Sequence, residues 1–326
     1  MNTGSLQGKE NSNYLFLYFC HSTNISMAEH HHHDHGNLKG KNLFWSVVLN
    51  LAITIAQLAG GIISGSMALL SDALHNFSDV LTLIISYIAN RLAQKKYTTR
   101  HTFGYQRAEI LAAFINSSTL IGIAVFLSVE AFERLLNPHP IQSLVVIWLA
   151  VASIVVNGAS VLLIQSGAKE NINIKSAYLH LFTDMLTSVA VLIGGLFMKY
   201  AGLYWIDGLI TLLIAIYLIY SSWSLFRESV NIIMLFSPTD IDIRELTVQI
   251  ESIEGIKNLH HLHLWKLTDN KINMEAHVDL VKNQPISNFE KQLEQIQNIA
   301  HELGISHVTI QPEFSVNDNK ELINTH

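Results

Sequence analysis

Residues 66–88, SMALLSDALHNFSDVLTLIISYI, place His75 and Asp79 inside a stretch that is otherwise apolar enough for a lipid bilayer. An unpaired Asp at the centre of a membrane helix costs about 2.5 to 3.5 kcal/mol on insertion scales, so an ionisable group there indicates a functional site. Helical residues four apart lie about 40° apart around the axis and about 6 Å apart along it. The imidazole and the carboxylate are therefore predicted to point the same way, as half of a tetrahedral metal site.

The composition indicates a membrane protein. Of 326 residues, 49% are hydrophobic and only 14% are charged, whereas about a quarter are charged in ordinary soluble domains. The single cysteine, Cys20, permits no disulfide within the chain and no CxxC motif, so a metal would need His, Asp and Glu ligands. Residues 237–326 hold 14 of the 26 acidic residues and 7 of the 20 Lys and Arg. The acidic charge of this part argues against binding of nucleic acid and favours the attraction of cations.

Six apolar stretches of spanning length are predicted near residues 43–63, 67–93, 108–136, 141–165, 175–200 and 203–226. Lys and Arg gather before the first stretch, between the second and third, and between the fourth and fifth. By the positive-inside rule both termini are expected in the cytoplasm. The whole would be a multi-pass protein of the cell (inner) membrane in a bacterium.

Four parts follow from these patterns: a segment 1–42 expected to be disordered, a six-helix transport domain 43–236, a small cytoplasmic domain 237–315 and a tail 316–326. The first segment carries five histidines after Met27, His30, His31, His32, His33 and His35. We interpret them as a natural metal-gathering tract, with an expression tag as the alternative. Met27 is the expected natural start, which would make residues 1–26 an upstream extension.

The small domain is predicted as an αββαβ unit of the α+β class. A helix is expected at 241–253, strands at 256–267 and 272–281, a helix at 286–303 and a strand at 307–314. The second strand alternates Ile272, Met274, Ala276, Val278 and Leu280 on one side, which predicts one covered face of the sheet.

The fifth apolar stretch repeats the first motif, because His180 and Asp184 again stand four apart. Two facing helices would bring together two nitrogens and two carboxylates, a set that suits Zn²⁺ better than Mg²⁺ or Ca²⁺. Co²⁺, Ni²⁺, Cu²⁺ and Cd²⁺ remain alternatives. Each pair could instead satisfy polar neighbours within the bundle, but its repetition at the same spacing favours a metal.

The segments SMALLSDALHNFSD, HTFGYQRAE, YLHLFTD, WIDGLI and HHLHLW together resemble the cation diffusion facilitators, especially their zinc-transporting branch, from about residue 44 to 313. The resemblance implies six transmembrane helices, a cytoplasmic metallochaperone-like (ferredoxin-like) domain, a homodimer, and exchange of Zn²⁺ for protons. By position, His75, Asp79, His180 and Asp184 match the transport site. Asp72 and Asp207 match common acidic positions, and we give them supporting roles. We expect no enzyme activity and no organic cofactor.

In the small domain, His260, His277 and Glu313 match positions that bind regulatory zinc in some members. Strand alternation places His277 and Glu313 on polar faces, but it predicts His260 on the face of Leu262 and Leu264. Surface histidines on an acidic domain are the alternative interpretation of this set.

The expected mechanism is alternating access with Zn²⁺ and protons competing for the same ligands, since metal binding requires deprotonated groups. Cd²⁺ and Co²⁺ are further candidate substrates. Two alternative functions could use the same ligands. An intramembrane zinc hydrolase would need a further base, and no HExxH motif is present. A membrane metal sensor would not need two ligand pairs within the bilayer.

Overall fold

The computed structural model describes residues 37–165, 172–317 and 319–323. The histidines at positions 30–33 and 35 lie outside these residues, as does most of the segment expected to be disordered. The chain divides into two compact units, one holding the chain up to Tyr87 with Ile115–Phe226, the other Ile88–Phe114 with the chain from Arg227 onward. The four parts proposed from composition stay a prediction.

Within the described residues, six helices form the apolar part: α1 (Asn37–Ser64), α2 (Met67–Ala93), α3 (Ala108–Leu136), α4 (Ser143–Ile164), α5 (Ile172–Ala201) and α6 (Trp205–Ile233). Helices α2 to α6 are long and apolar enough to cross a membrane, and α1 adds a shorter apolar stretch, Val48–Ser64. Large apolar side chains such as Phe126 and Trp148 are exposed, as expected for groups that face lipid. The predicted membrane fold is confirmed.

Glycines allow the helices around α4 to approach one another closely. A Cβ atom on Gly60 of α1 would meet Leu149 of α4, and one on Gly195 of α5 would meet Ile147 of the same helix. Small residues at such crossings let membrane helices pack by van der Waals contact. Helix α4 thus packs tightly against both α1 and α5.

The small domain follows the predicted αββαβ order with α7 (Ile243–Glu251), β1 (Ile256–Thr268), β2 (Lys271–Leu280), α8 (Ile286–Glu302) and β3 (Ile305–Glu313). The sheet order is β1-β2-β3, with β1 antiparallel and β3 parallel to β2. The alternating apolar residues of β2 are buried in one core with residues of α7 and α8. Helix α7 begins later than predicted, because the side chain of Asp242 accepts hydrogen bonds from two first-turn N–H groups and caps the helix.

A β-bulge in β1 makes the prediction wrong that His260 shares a face with Leu262 and Leu264. The pairing of β1 with β2 shifts by one residue just after His260, and His261 takes a left-handed φ of 51°. An extra residue of this kind reverses which side of the strand the following side chains occupy. The two leucines are in the core, whereas His260 lies opposite His277 on the other face.

Candidate metal centres

The helix bundle brings both His–Asp pairs together. His75 and Asp79 lie one turn apart on α2, and His180 and Asp184 lie one turn apart on α5. Nε2 of His75 is 3.7 Å from Oδ2 of Asp79 and 3.7 Å from Oδ1 of Asp184. Nε2 of His180 is 3.4 Å from Oδ2 of Asp79 and 3.6 Å from Oδ2 of Asp184. Each imidazole therefore lies near one carboxylate of its own helix and one of the opposite helix.

The spacing of these atoms is close to that of a tetrahedral zinc site. With ligand bonds of about 2.0–2.1 Å, neighbouring ligand atoms of a tetrahedron are about 3.3–3.4 Å apart. His75, Asp79 and Asp184 each offer an atom within 4.8 Å of the others. His180 stands outside this compact set, with its ring centroid 6.2 Å from that of His75. A rotation of the His180 ring toward His75 would complete four ligands.

Burial increases from one end of this cluster to the other. The side chain of His180 is 46% exposed and that of Asp79 24%, whereas that of Asp184 is 1% exposed. Both carboxylate oxygens of Asp184 are buried, and neither has a hydrogen-bond partner among the described residues. A buried carboxylate in this position is costly unless a cation or a proton meets it. The arrangement is suited to a cation that arrives from the side of His180.

A polar layer lies one helical turn from the cluster, on the side away from Asp79. Asp72 precedes His75 on α2, and Ser188 follows Asp184 on α5. Oδ2 of Asp72 accepts hydrogen bonds from Nε2 of Gln57 at 2.7 Å and from Oγ of Ser188 at 3.1 Å. Asp72 thereby connects α1, α2 and α5. The family resemblance singles out Asp72 as a common acidic position, but no spacing in the sequence identifies its two donors.

Asp207, in the first turn of α6, caps α2. Its carboxylate accepts hydrogen bonds from the hydroxyl of Ser66 and from the N–H groups of Met67, at 2.8 Å, and Ala68, at 3.3 Å. The first N–H groups of a helix have no partner within the helix, and side-chain acceptors satisfy them. Asp207 therefore fixes the end of the helix that carries the first His–Asp pair.

The bulge in β1 gathers a second cluster on the polar face of the sheet. Nε2 of His260 is 3.3 Å from Oε2 of Glu313, and Nδ1 of His277 is 2.9 Å from Oε1 of Glu313. The three residues offer ligand atoms within 4.8 Å of one another. The ring of His261, the bulge residue, stacks on that of His277 at 4.6 Å. All three residues predicted for this site are thus in mutual contact.

A lysine that the sequence did not single out contacts this second cluster. Nζ of Lys320 lies 2.9 Å from Oε2 of Glu313, 3.0 Å from Oδ1 of Asp279 and 3.3 Å from Nε2 of His260. Lys320 follows β3 in a short polar segment without periodicity, so only the folded structure shows where its ammonium lies.

Comparison with known proteins gives matches over most of the chain. A model of the cation efflux transmembrane domain matches residues 43–234, and a model of the cation efflux protein cytoplasmic domain matches residues 238–315. The metal cation efflux system protein CzcD of Cupriavidus metallidurans is 35% identical over 89% of this chain and 91% of its own. A cadmium, cobalt and zinc/H(+)-K(+) antiporter of Bacillus subtilis is 36% identical over 90% and 94%. Zinc transporter ZitB of Escherichia coli is 32% identical over 88% and 93%.

Proposed function

The chain belongs to the cation efflux family, and on this premise we propose that it exports Zn²⁺ from the cytoplasm in exchange for protons. Cd²⁺ and Co²⁺ are further substrates, consistent with the name of the Bacillus subtilis relative. The observation that carries the proposal is the meeting of two His–Asp pairs from α2 and α5 around the buried carboxylate of Asp184.

We assign the transport site to His75, Asp79, His180 and Asp184. Two neutral imidazoles and two carboxylates provide two negative charges, which balance those of Zn²⁺. The separations of 3.4–3.7 Å between imidazole nitrogens and carboxylate oxygens need a slight contraction, together with rotation of the His180 ring toward His75, to hold an ion with bonds of about 2.0–2.1 Å. The exposed side of His180 and Asp79 offers the ion a way in.

Proton exchange supplies the driving force. Moving a doubly charged ion out against an inside-negative potential costs about 4.6 kcal/mol per 100 mV, twice the value for one charge. One incoming proton returns about 2.3 kcal/mol per 100 mV, together with any pH gradient. Because protons and Zn²⁺ bind the same ligand atoms, arrival of one favours release of the other. Alternating access of the cluster to the two sides of the membrane then gives antiport.

The protein is an integral membrane protein, and we place both ends of its membrane part in the cytoplasm by the distribution of Lys and Arg. The cell membrane is its expected location. The match to the cytoplasmic dimer domain of the family supports a homodimer. We assign His260, His277 and Glu313 to a regulatory zinc site. No enzymatic role or organic cofactor is assigned.

A flux assay in everted vesicles or proteoliposomes tests the proposal. The unaltered protein should take up Zn²⁺ when an outward proton gradient is imposed, with no hydrolysable substrate present. His75→Ala and Asp184→Ala should abolish this uptake, whereas Asp240→Asn, an exposed carboxylate of the small domain, should leave it unchanged. Proton-dependent uptake retained by both site variants would contradict the assignment of the transport site.

A further inference from the structure

The ammonium of Lys320 lies among the ligands of the sheet cluster. An ammonium has three N–H donors, and three acceptor atoms, on Glu313, Asp279 and His260, lie at 2.9, 3.0 and 3.3 Å from Nζ. Glu313 and His260 are almost completely buried. A buried carboxylate and imidazole gain a cationic partner in this way without any metal.

Lys320 and a metal ion exclude each other at this place. A Zn²⁺ ion held by Glu313 and His260 would lie about 2.0–2.2 Å from their ligand atoms, and those same atoms are 2.9 and 3.3 Å from Nζ. Two cations sharing the same acceptor atoms would be in contact with each other. Zn²⁺ also brings two positive charges to the carboxylates of Glu313 and Asp279, whereas the lysine brings one.

The backbone holds Lys320 beside the cluster. The N–H group of His261 donates to the carbonyl of Glu321 at 3.2 Å, and that of Leu262 donates to the carbonyl of Leu322 at 2.8 Å. The side chain of Leu322 packs against the core of the domain. The segment after β3 is thus docked on the bulge of β1, and this tether gives the ammonium a high effective concentration at the ligands.

From this geometry we propose that Lys320 is a built-in competitor for zinc at the His260, His277 and Glu313 cluster. The ammonium satisfies the cluster when zinc is scarce, and zinc binding displaces it and loosens residues 319–323 from β1. The apparent zinc affinity of the cluster therefore depends on the difference in binding free energy between the metal and the tethered lysine. The inference rests on the proposed regulatory site but is independent of transport.

Zinc titration of the full-length protein tests the competition. The protein carries His75→Ala and Asp184→Ala, so that the membrane cluster does not contribute. A chelating dye reports free zinc, and Glu313→Gln in the same background measures the zinc bound elsewhere, including by the histidines at positions 30–33 and 35. Lys320→Met, which keeps an unbranched side chain one atom shorter and without the charge, should bind zinc about tenfold more tightly, within the range of about 5- to 150-fold typical of coupled sites. Lys282→Met, an exposed lysine of the same domain, should bind as the parent does, and Glu313→Gln should lose the site.

Equal or weaker zinc binding by Lys320→Met overturns the proposal, as does failure of both parent and Lys320→Met to bind zinc. Zinc binding by Lys320→Met but not by the parent would support the proposal most strongly. Vesicle flux is measured separately, so a failure of the transport proposal would leave this comparison standing.

Hydrogen exchange provides a second readout in the protein with its transport site intact. The N–H group of Leu262, now bonded to the carbonyl of Leu322, should exchange faster when zinc is added. Protection of Leu262 that does not change on zinc binding, with the cluster shown to be occupied, would overturn the displacement step.

Discussion

The two His-carboxylate clusters in the described part of the chain differ in the group that already balances their charge. In the membrane cluster the carboxylates of Asp79 and Asp184 face two imidazoles, and no Lys or Arg of the described residues forms an ion pair with them. In the sheet cluster the ammonium of Lys320 lies within 3.0 Å of two carboxylates. The first cluster must obtain its cation from solution, as a carrier does. The second has one in the chain, which suits a site that responds only above a threshold.

The clusters also differ in how the backbone assembles them. The membrane cluster uses the four-residue period of two regular helices, so its ligands converge wherever α2 and α5 face each other. The sheet cluster depends on one extra residue in β1, and without the bulge His260 would point into the core. Regular geometry can be predicted from spacing, whereas the bulge is a local exception to it.

The largest expected difference is in transport. Asp79→Asn should lower zinc flux at least about 100-fold, because even groups outside the first coordination sphere cost 10- to 100-fold in affinity when lost. Glu313→Gln should change flux only a few-fold, since it alters the site that we assign to regulation. The measurement is zinc uptake in vesicles with matched protein content. An equal loss in both variants would mean that the two clusters belong to one transport path.

The next effect concerns the bulge. His261→Val should weaken zinc binding at the sheet cluster, because a β-branched residue disfavours the positive φ of the bulge, and regular pairing of a strand of unchanged length would turn either His260 or the following leucines to the wrong face. His261→Gly serves as the control, since glycine adopts a positive φ readily, and should bind zinc within a few-fold of the parent. Zinc titration together with circular dichroism separates loss of the site from loss of the fold. Unchanged zinc binding by the valine variant would refute the role of the bulge.

The smallest effect concerns stability. Asp207→Ala should lower the free energy of unfolding by about 1–2 kcal/mol, as expected for loss of a helix cap. Asp207→Asn keeps an acceptor oxygen and should cost less. Thermal unfolding in detergent measures both changes, and Asp240→Asn provides the neutral reference. If Ala and Asn at position 207 have equal effects, the hydrogen bonds to α2 do not determine stability there.

Much of this structure follows from the sequence because its signals are periodic. The apolar stretches predict the helices, and the HxxxD spacing predicts which side chains of α2 and α5 share a face. The alternation along β2 predicts the covered face of the sheet. In each case the pattern repeats over several turns or residues, so local exceptions do not change it.

The remaining features depend on contacts between residues distant in the sequence. The left-handed backbone of His261 has no compositional signal, since the residue is neither glycine nor asparagine, and simple alternation put His260 on the wrong face. The partners of Asp72 and Asp207 lie on other helices. Lys320 is one lysine in a polar segment, and its place among the ligands follows from the docking of that segment on β1.

The cap on α2 has a mechanical consequence. At about 1.5 Å per residue, His75 and Asp79 lie about 12 Å and 18 Å along the helix from the end that Asp207 holds. With that end as a pivot, a tilt of about 10° would carry the two side chains about 2 Å and 3 Å away from α5. Metal–ligand distances vary by only a few tenths of an ångström in a working site. A tilt of α2 by about 10° would therefore be enough to release the ion.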